Sequence, residues 1–159
     1  MNISYKECEF ILENETATWA LASQIANLAK PGDIITLEGD LGVGKTSFAR
    51  GFIGAIGSDC EVLSPTFTLV QSYEFSNIVV YHFDLYRIMD PEEILELGIE
   101  DAYSEGLSLI EWPERMAHYL PSVRLEIKLW NGSNKNSRNI KIVAHGDNWI
   151  QRLTQLNML

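Results

Sequence analysis

The sequence is poor in the features that would move it out of the ordinary soluble class. Cys8 and Cys60 are its only cysteines, too few for a disulfide framework and without the second pair a structural zinc site requires, so reduced thiols are the simpler reading. No stretch reaches the roughly 18 apolar residues of a membrane span, and Met1 to Phe10 lacks the basic-then-apolar layout of a secretory leader. A soluble, cytoplasmic protein with no membrane contact is expected. Basic residues are also scarce: 12 Lys and Arg against 22 Asp and Glu leave a net charge of -10. That balance argues against a surface that wraps duplex nucleic acid or coats an anionic membrane, so any contact with nucleic acid is local or made through a partner. Nor is there a repeat, a linker or a low-complexity segment, and 159 residues with 46% hydrophobic content fit one domain, 1–159, with a sizeable core.

What is present alternates between strand-like and helix-like stretches. Thr18, Leu21, Ala22, Ile25, Leu28 and Ala29 recur at helical spacing after the cap-rich Asn14-Glu15-Thr16, and Pro31-Gly32 ends the pattern. Asp33 to Leu37 reads as a short buried strand between glycines. Phe48, Ala49, Phe52, Ile53 and Ile56 then form a second helical stripe closed by Gly57. Thr68 to Phe75 and Ile78 to Leu85 read as a hairpin around Ser76-Asn77. Asp90-Pro91-Glu92-Glu93 starts a short helix that ends before Gly98. Leu107 to Trp112 is a further strand, Arg124 to Trp130 and Asn139 to Ala144 form a second strand pair, and Trp149 to Leu156 closes the chain as an amphipathic helix.

Between the first strand and the second helix lies Gly39-Asp40-Leu41-Gly42-Val43-Gly44-Lys45-Thr46, which fits G-x-x-x-x-G-K-[ST] at every fixed position. The flanks carry as much weight as the match. Such a loop works by turning successive backbone N–H groups and a helix N-terminus toward phosphate oxygens, and both a strand before it and a helix after it are present. Lys45 supplies a mobile charge for the β- and γ-phosphates, and the Thr46 hydroxyl is a hard oxygen suited to magnesium.

A phosphate loop of this kind also needs carboxylates at the ends of neighbouring strands, one for the metal and one to orient an attacking water or hydroxyl. Asp84 ends Ile78 to Phe83 and Glu111 ends Leu107 to Ile110; either fits the metal side. Ser64-Pro65-Thr66-Phe67-Thr68 offers three hydroxyls where nucleotide-sensing loops commonly sit, though it reads equally as a proline turn entering a strand. Trp112, between Glu111 and Pro113, either shields the site or fills core, and by composition alone core is the better reading. His82, His118 and His145 have no partner at ligand spacing and read as structural.

The phosphate loop, Ser64 to Val70, Tyr81-His82-Phe83-Asp84-Leu85-Tyr86-Arg87 and Ile110-Glu111-Trp112-Pro113-Glu114 together resemble the TsaE (YjeE) family, in order and over nearly the whole chain. Val43 and Ser47 depart slightly from the alanine and threonine common there. The resemblance implies a three-layer α/β P-loop NTPase fold, with a mainly parallel sheet carrying antiparallel additions. It also implies a magnesium-dependent ATPase required for threonylcarbamoyl modification of adenosine 37 in tRNA, weak alone and dependent on a TsaD-type transferase and a TsaB-type protein. ATP turnover would reset that complex between rounds, with tRNA reached only through it. ATP and Mg2+ are the implied cofactors. Gly39, Asp40, Leu41, Gly42, Val43, Gly44, Lys45, Thr46 and Ser47 are implied at the nucleotide, with Trp112 now part of the site. Thr46 and Glu111 are implied as metal ligands, and Lys45, Asp84 and Glu111 as the catalytic set. Thr18, with Thr16 as its nearest competitor, and Arg138 match two further nucleotide contacts.

Three other functions compete. A small P-loop kinase passing phosphate to a metabolite needs a lid with arginines, but Asp84 to Glu114 holds only Arg87. A GTPase is suggested by Asn134-Lys135-Asn136, yet Ser137 stands where a guanine-reading aspartate belongs. A scaffold merely ordered by nucleotide is the third. Ten acidic residues in Asp84 to Glu114, beside a C-terminal third with seven basic residues against Glu126 and Asp147, read either as ordinary solvated faces or as complementary docking surfaces, with Lys135 and Arg152 on the basic one.

Overall fold

The β-branched run after Gly32 becomes the middle of a seven-stranded sheet in the computed structural model, which describes residues 5–57 and 61–156. In chain order the elements are strand β1 (Tyr5–Leu12), helix α1 (Glu15–Leu28), β2 (Ile34–Glu38), α2 (Lys45–Ile56), β3 (Val70–Glu74) and β4 (Val79–Asp84). A 3-10 helix (Pro91–Leu97), α3 (Ile99–Glu105), β5 (Leu107–Glu111), a second 3-10 helix (Pro113–Tyr119), β6 (Arg124–Asn131), β7 (Arg138–His145) and α4 (Asp147–Leu153) follow. The strand order is β1-β7-β6-β2-β5-β4-β3. The four inner strands β6, β2, β5 and β4 run parallel, while β3 pairs antiparallel at one edge and β7 and β1 add antiparallel pairings at the other. The expected α/β fold with antiparallel additions is therefore what forms.

Side-chain alternation along the inner strands builds two cores. Ile35, Leu37, Leu107, Leu109, Leu125 and Ile127 face one way and meet Leu21 and Ile25 of α1, Phe48 and Phe52 of α2 and Trp149 of α4. Ile34, Phe83 and Ile110 face the other way and meet Ile94, Ile99, Ala102 and Met116. Strands covered on both faces can be apolar throughout, which is why β2 and β5 read as continuous runs. Asn14 caps α1 by accepting from the Ala17 N–H at 2.9 Å. The Ser76-Asn77 hairpin closes through the Phe75 N–H on the Ile78 carbonyl.

Several elements differ from the sequence reading. The segment capped by Asp90 winds as a 3-10 helix rather than an α-helix, and Gly98, at a φ of 77°, turns it into α3, which the sequence reading lacks. β1 is likewise absent from the sequence reading, although Cys8, Phe10 and Leu12 alternate inward against the main core. Arg152 is not a surface charge. It is 9% exposed, forks onto both Asp33 carboxylate oxygens at 2.5 and 3.0 Å, donates to the Leu28 carbonyl and lies 3.9 Å from the Trp149 ring centroid. Lys135 is exposed as expected. Cys8 is a free thiol whose pKa burial raises; Cys60 lies outside the described residues. Among the described residues no helix is long and apolar enough to cross a membrane.

Candidate functional site

The phosphate loop leaves the C-terminal end of β2 and runs straight into α2. Gly39 has a φ of 152°, and a Cβ there would sit 2.5 Å from the Leu129 carbonyl oxygen, so only glycine fits beneath the loop. Gly44, at a φ of 109°, precedes α2 without any side-chain cap. The first N–H groups of α2 are thereby left for an outside acceptor, and the helix dipole favours an anion there. Lys45 folds back to donate to the Gly39 carbonyl and, at 3.5 Å, to that of Asp40. Its ammonium lies 3.8 Å from the Trp112 ring centroid. Burial lowers the Lys45 pKa, while the Glu111, Asp84, Glu114 and Asp40 carboxylates pull it back up.

The two acids meet because β4 and β5 are parallel and in register, with Asp84 directly opposite Glu111. Both are buried. Asp84 accepts from the Tyr86 N–H at 3.0 Å and the Thr66 hydroxyl at 3.2 Å. Glu111 Oε2 lies 2.7 Å from His82 Nε2. Trp112 adopts a left-handed φ of 61°, which swings its ring out of the strand and against Tyr86, the ring centroids 4.8 Å apart. Leu41, Gly42, Gly44, Lys45, Thr46, Ser47, Thr66, Asp84, Glu111 and Trp112 line one cleft of about 230 Å³.

Its donor set suits magnesium. Thr46, Asp84 and Glu111 offer hard oxygens beside the loop, and the described residues contain no cluster of three or more His, Cys, Asp or Glu that would make a dedicated protein cage. Magnesium at nucleotide sites takes one or two protein oxygens and fills the rest from phosphates and water, so a sparse set is the fitting one.

Across the Gly44–Ser47 rim lies a smaller pocket of about 60 Å³, lined by Glu15, Thr18, Gly44, Ser47, Asn136 and Arg138. Thr18 and Arg138 therefore sit together, while Thr16 is exposed and does not line it. Arg138 donates to the Val43, Lys135 and Ser137 carbonyls, tying the phosphate loop to the β6–β7 turn. Val43 turns its side chain into the core and lines neither pocket, its carbonyl accepting from Arg138. Asp40 is exposed and lines neither pocket, and Gly39 serves beneath the loop. Asn134 spends its side chain on the Asn136 and Ser137 N–H groups, shaping a turn where a guanine reader would face a base.

Three residues of the site escaped the sequence reading of individual positions. The sequence offers Thr66 only as one hydroxyl of a loop, yet it bonds Asp84. Glu15 reads as part of a cap, yet it accepts from Ser47 at 2.5 Å beside Thr18. His82 reads as structural, and its buried ring also contacts Glu111. The signal for His82 lay in strand register: it stands diagonally two residues from Glu111 across β4 and β5.

Known proteins agree with this architecture. A family model described as "Threonylcarbamoyl adenosine biosynthesis protein TsaE" matches residues 12–140. A Rickettsia felis protein named "tRNA threonylcarbamoyladenosine biosynthesis protein TsaE" is 48% identical over 136 residues, 85% of this chain and 79% of its own. The Bacillus subtilis protein of the same name is 37% identical over 153 residues, 96% of this chain and 95% of its own. The crystal structure of Bacillus subtilis YdiB superposes with a TM-score of 0.79 at 31% identity, covering 96% of this chain and 95% of that one.

Proposed function

This chain belongs to the TsaE family, and from that premise we propose that it is a magnesium-dependent P-loop ATPase serving the threonylcarbamoyl modification of adenosine 37 in tRNA. It works with a TsaD-type transferase and a TsaB-type protein, and its ATP turnover resets their complex between rounds. The transfer chemistry belongs to the transferase, and tRNA is met only through the complex. What carries the reading is the convergence of Lys45, Thr46, Asp84, Glu111 and Trp112 on one cleft at the N-terminus of α2.

In this reading the loop N–H groups and Lys45 bind the ATP phosphates, and Thr46 with Glu111 hold the metal. A magnesium ion held there would supply positive charge to the phosphate oxygens. Asp84, fixed by Thr66 and the Tyr86 N–H, orients the attacking water. Trp112 shields the Lys45 ammonium from bulk solvent, and Thr18 and Arg138 border the side where the nucleoside extends. The kinase alternative gains nothing from the stretch after Asp84: Ile88, Ile94, Ile99 and Ala102 bury it against the sheet, and Arg87 lies over Phe67.

The test is phosphate release from ATP by the chain alone and with co-purified TsaD-type and TsaB-type proteins. Activity is expected to be low alone, raised by the partners, dependent on magnesium and lost in Lys45→Ala. Hydrolysis indifferent to Lys45→Ala, or unmodified partners-only turnover equal to that of the full set, would overturn the reading.

A further inference from the structure

The geometry points to His82 as the positioning residue for the Glu111 carboxylate: its imidazole holds one oxygen so that the other is presented to the metal. This inference rests on the reading of Glu111 as a magnesium ligand and adds a residue to it. His82 is fully buried on β4, and its Nε2 lies 2.7 Å from Glu111 Oε2. An ionised carboxylate only accepts hydrogen bonds, so Nε2 carries the proton and donates it. The other ring nitrogen, Nδ1, is buried without a hydrogen-bond partner, which suits the neutral tautomer with its proton on Nε2.

The placement is costly for a residue that only fills space. A buried ring nitrogen left unpaired, on a residue that stands opposite Leu109 and two positions along β4 from the core residue Val80, would be improved by any apolar side chain of similar size. What an apolar side chain could not do is restrain Glu111, a flexible side chain at the end of β5 with Trp112 in a left-handed conformation immediately after it. With Oε2 held from the core side, the rotation of the carboxylate is fixed, and its remaining oxygen is left for the cleft shared with Thr46. Metal-binding carboxylates are commonly oriented by such outer hydrogen bonds, and their loss weakens metal binding about 10- to 100-fold.

The test compares His82→Gln, whose amide nitrogen reaches about as far as Nε2, with His82→Asn, whose amide stops near Nδ1. Both remain polar, so a difference between them reports reach rather than burial. Manganese, visible by electron paramagnetic resonance, is titrated into each full-length variant with a non-hydrolysable ATP analogue, and analogue affinity is measured separately in EDTA. The Asn variant should need about 10- to 100-fold more metal for half-saturation, the Gln variant should stay within about threefold of the parent, and metal-free nucleotide affinity should match in all three. If Gln and Asn behave alike, whether both normal or both impaired, His82 does not position Glu111. Glu111→Ala separates the two layers: unchanged metal affinity there removes Glu111 from the metal site and this inference with it. Weakened affinity in Glu111→Ala alongside indistinguishable His82 variants overturns the His82 role alone.

Discussion

The Lys45 ammonium is held by carbonyls of its own loop and by the Trp112 ring, positions from which a short swing reaches anything bound at the N-terminus of α2. Lys45→Ala should therefore act on nucleotide affinity itself, measured by calorimetry in EDTA. Thr46→Ala and Glu111→Ala should bind nucleotide nearly as the parent does in EDTA but lose magnesium-dependent hydrolysis by at least about 100-fold, with thermal melts showing the fold intact. Adding EDTA to the parent should abolish hydrolysis reversibly. Tyr103 gives a residue-scale prediction away from the cleft. Its hydroxyl is buried without a hydrogen-bond partner, and burial pushes its pKa above the ordinary 10.0. The unfolded chain then ionises this phenol at lower pH than the folded one does, so the folded state binds more protons and stability falls as pH rises above about 10. Tyr103→Phe should lessen that alkaline loss and, by removing an unsatisfied buried oxygen, stabilise the protein by up to about 1 kcal/mol at neutral pH. Urea unfolding of the two proteins at pH 7 and 10.5 checks both.

At the scale of elements, α4 is anchored by a charge pair as well as by Trp149. Replacing Arg152 by Glu would set a carboxylate against Asp33 in a largely buried place, with an expected cost of about 3–5 kcal/mol, whereas Lys135→Glu on the exposed β6–β7 turn should stay within about 0.5 kcal/mol. Denaturant midpoints of the two variants separate these outcomes. The same residue marks where the sequence was hard to read, since nothing in a run of helical spacing tells a buried arginine from a surface one. Elements with a local cause were legible: the Asn14 cap, the Gly39 to Thr46 turn, the continuous apolar runs of β2 and β5, the Ser76-Asn77 hairpin. β1 carries its period-two signal in only Cys8, Phe10 and Leu12, interrupted by an Ile11 that is 68% exposed. α3 is a single short helix behind a left-handed glycine, and its apolar residues make sense only against the second core. In the site, the phosphate loop and both acids could be read from motif and strand ends. Thr66, Glu15 and His82 could not be assigned, because their partners lie far along the chain: His82 meets Glu111 through β4–β5 register, Glu15 meets Ser47 through the α1–α2 contact, and Thr66 meets Asp84 where the loop before β3 folds onto the end of β4.

For the whole molecule, the charge asymmetry survives in thinner form, with Arg152 buried on the basic side and Asp84 and Glu111 on the acidic side. Lys135 remains on the surface, as do several acids of 90–105, and exposed charges act over a screening length of about 8 Å at physiological salt. Association with a TsaD-type and TsaB-type complex should weaken as salt rises and weaken further in Lys135→Glu, while nucleotide affinity in the preorganised loop changes less. Surface capture that is indifferent to salt and to the reversal would make the interface apolar or place it elsewhere. The sheet order also bears on how the protein is made. β2, which carries the phosphate loop, lies between β5 and β6, and both are synthesised long after it. A ribosome that has produced only the first half of the chain therefore holds a loop with its lysine but neither its Glu111 nor the Leu129 carbonyl that backs Gly39. Chains stalled before Arg124–Asn131 has emerged should not retain an immobilised ATP analogue, and those stalled after it should. Nucleotide capture thus becomes a late event of synthesis, reporting that the centre of the sheet has closed.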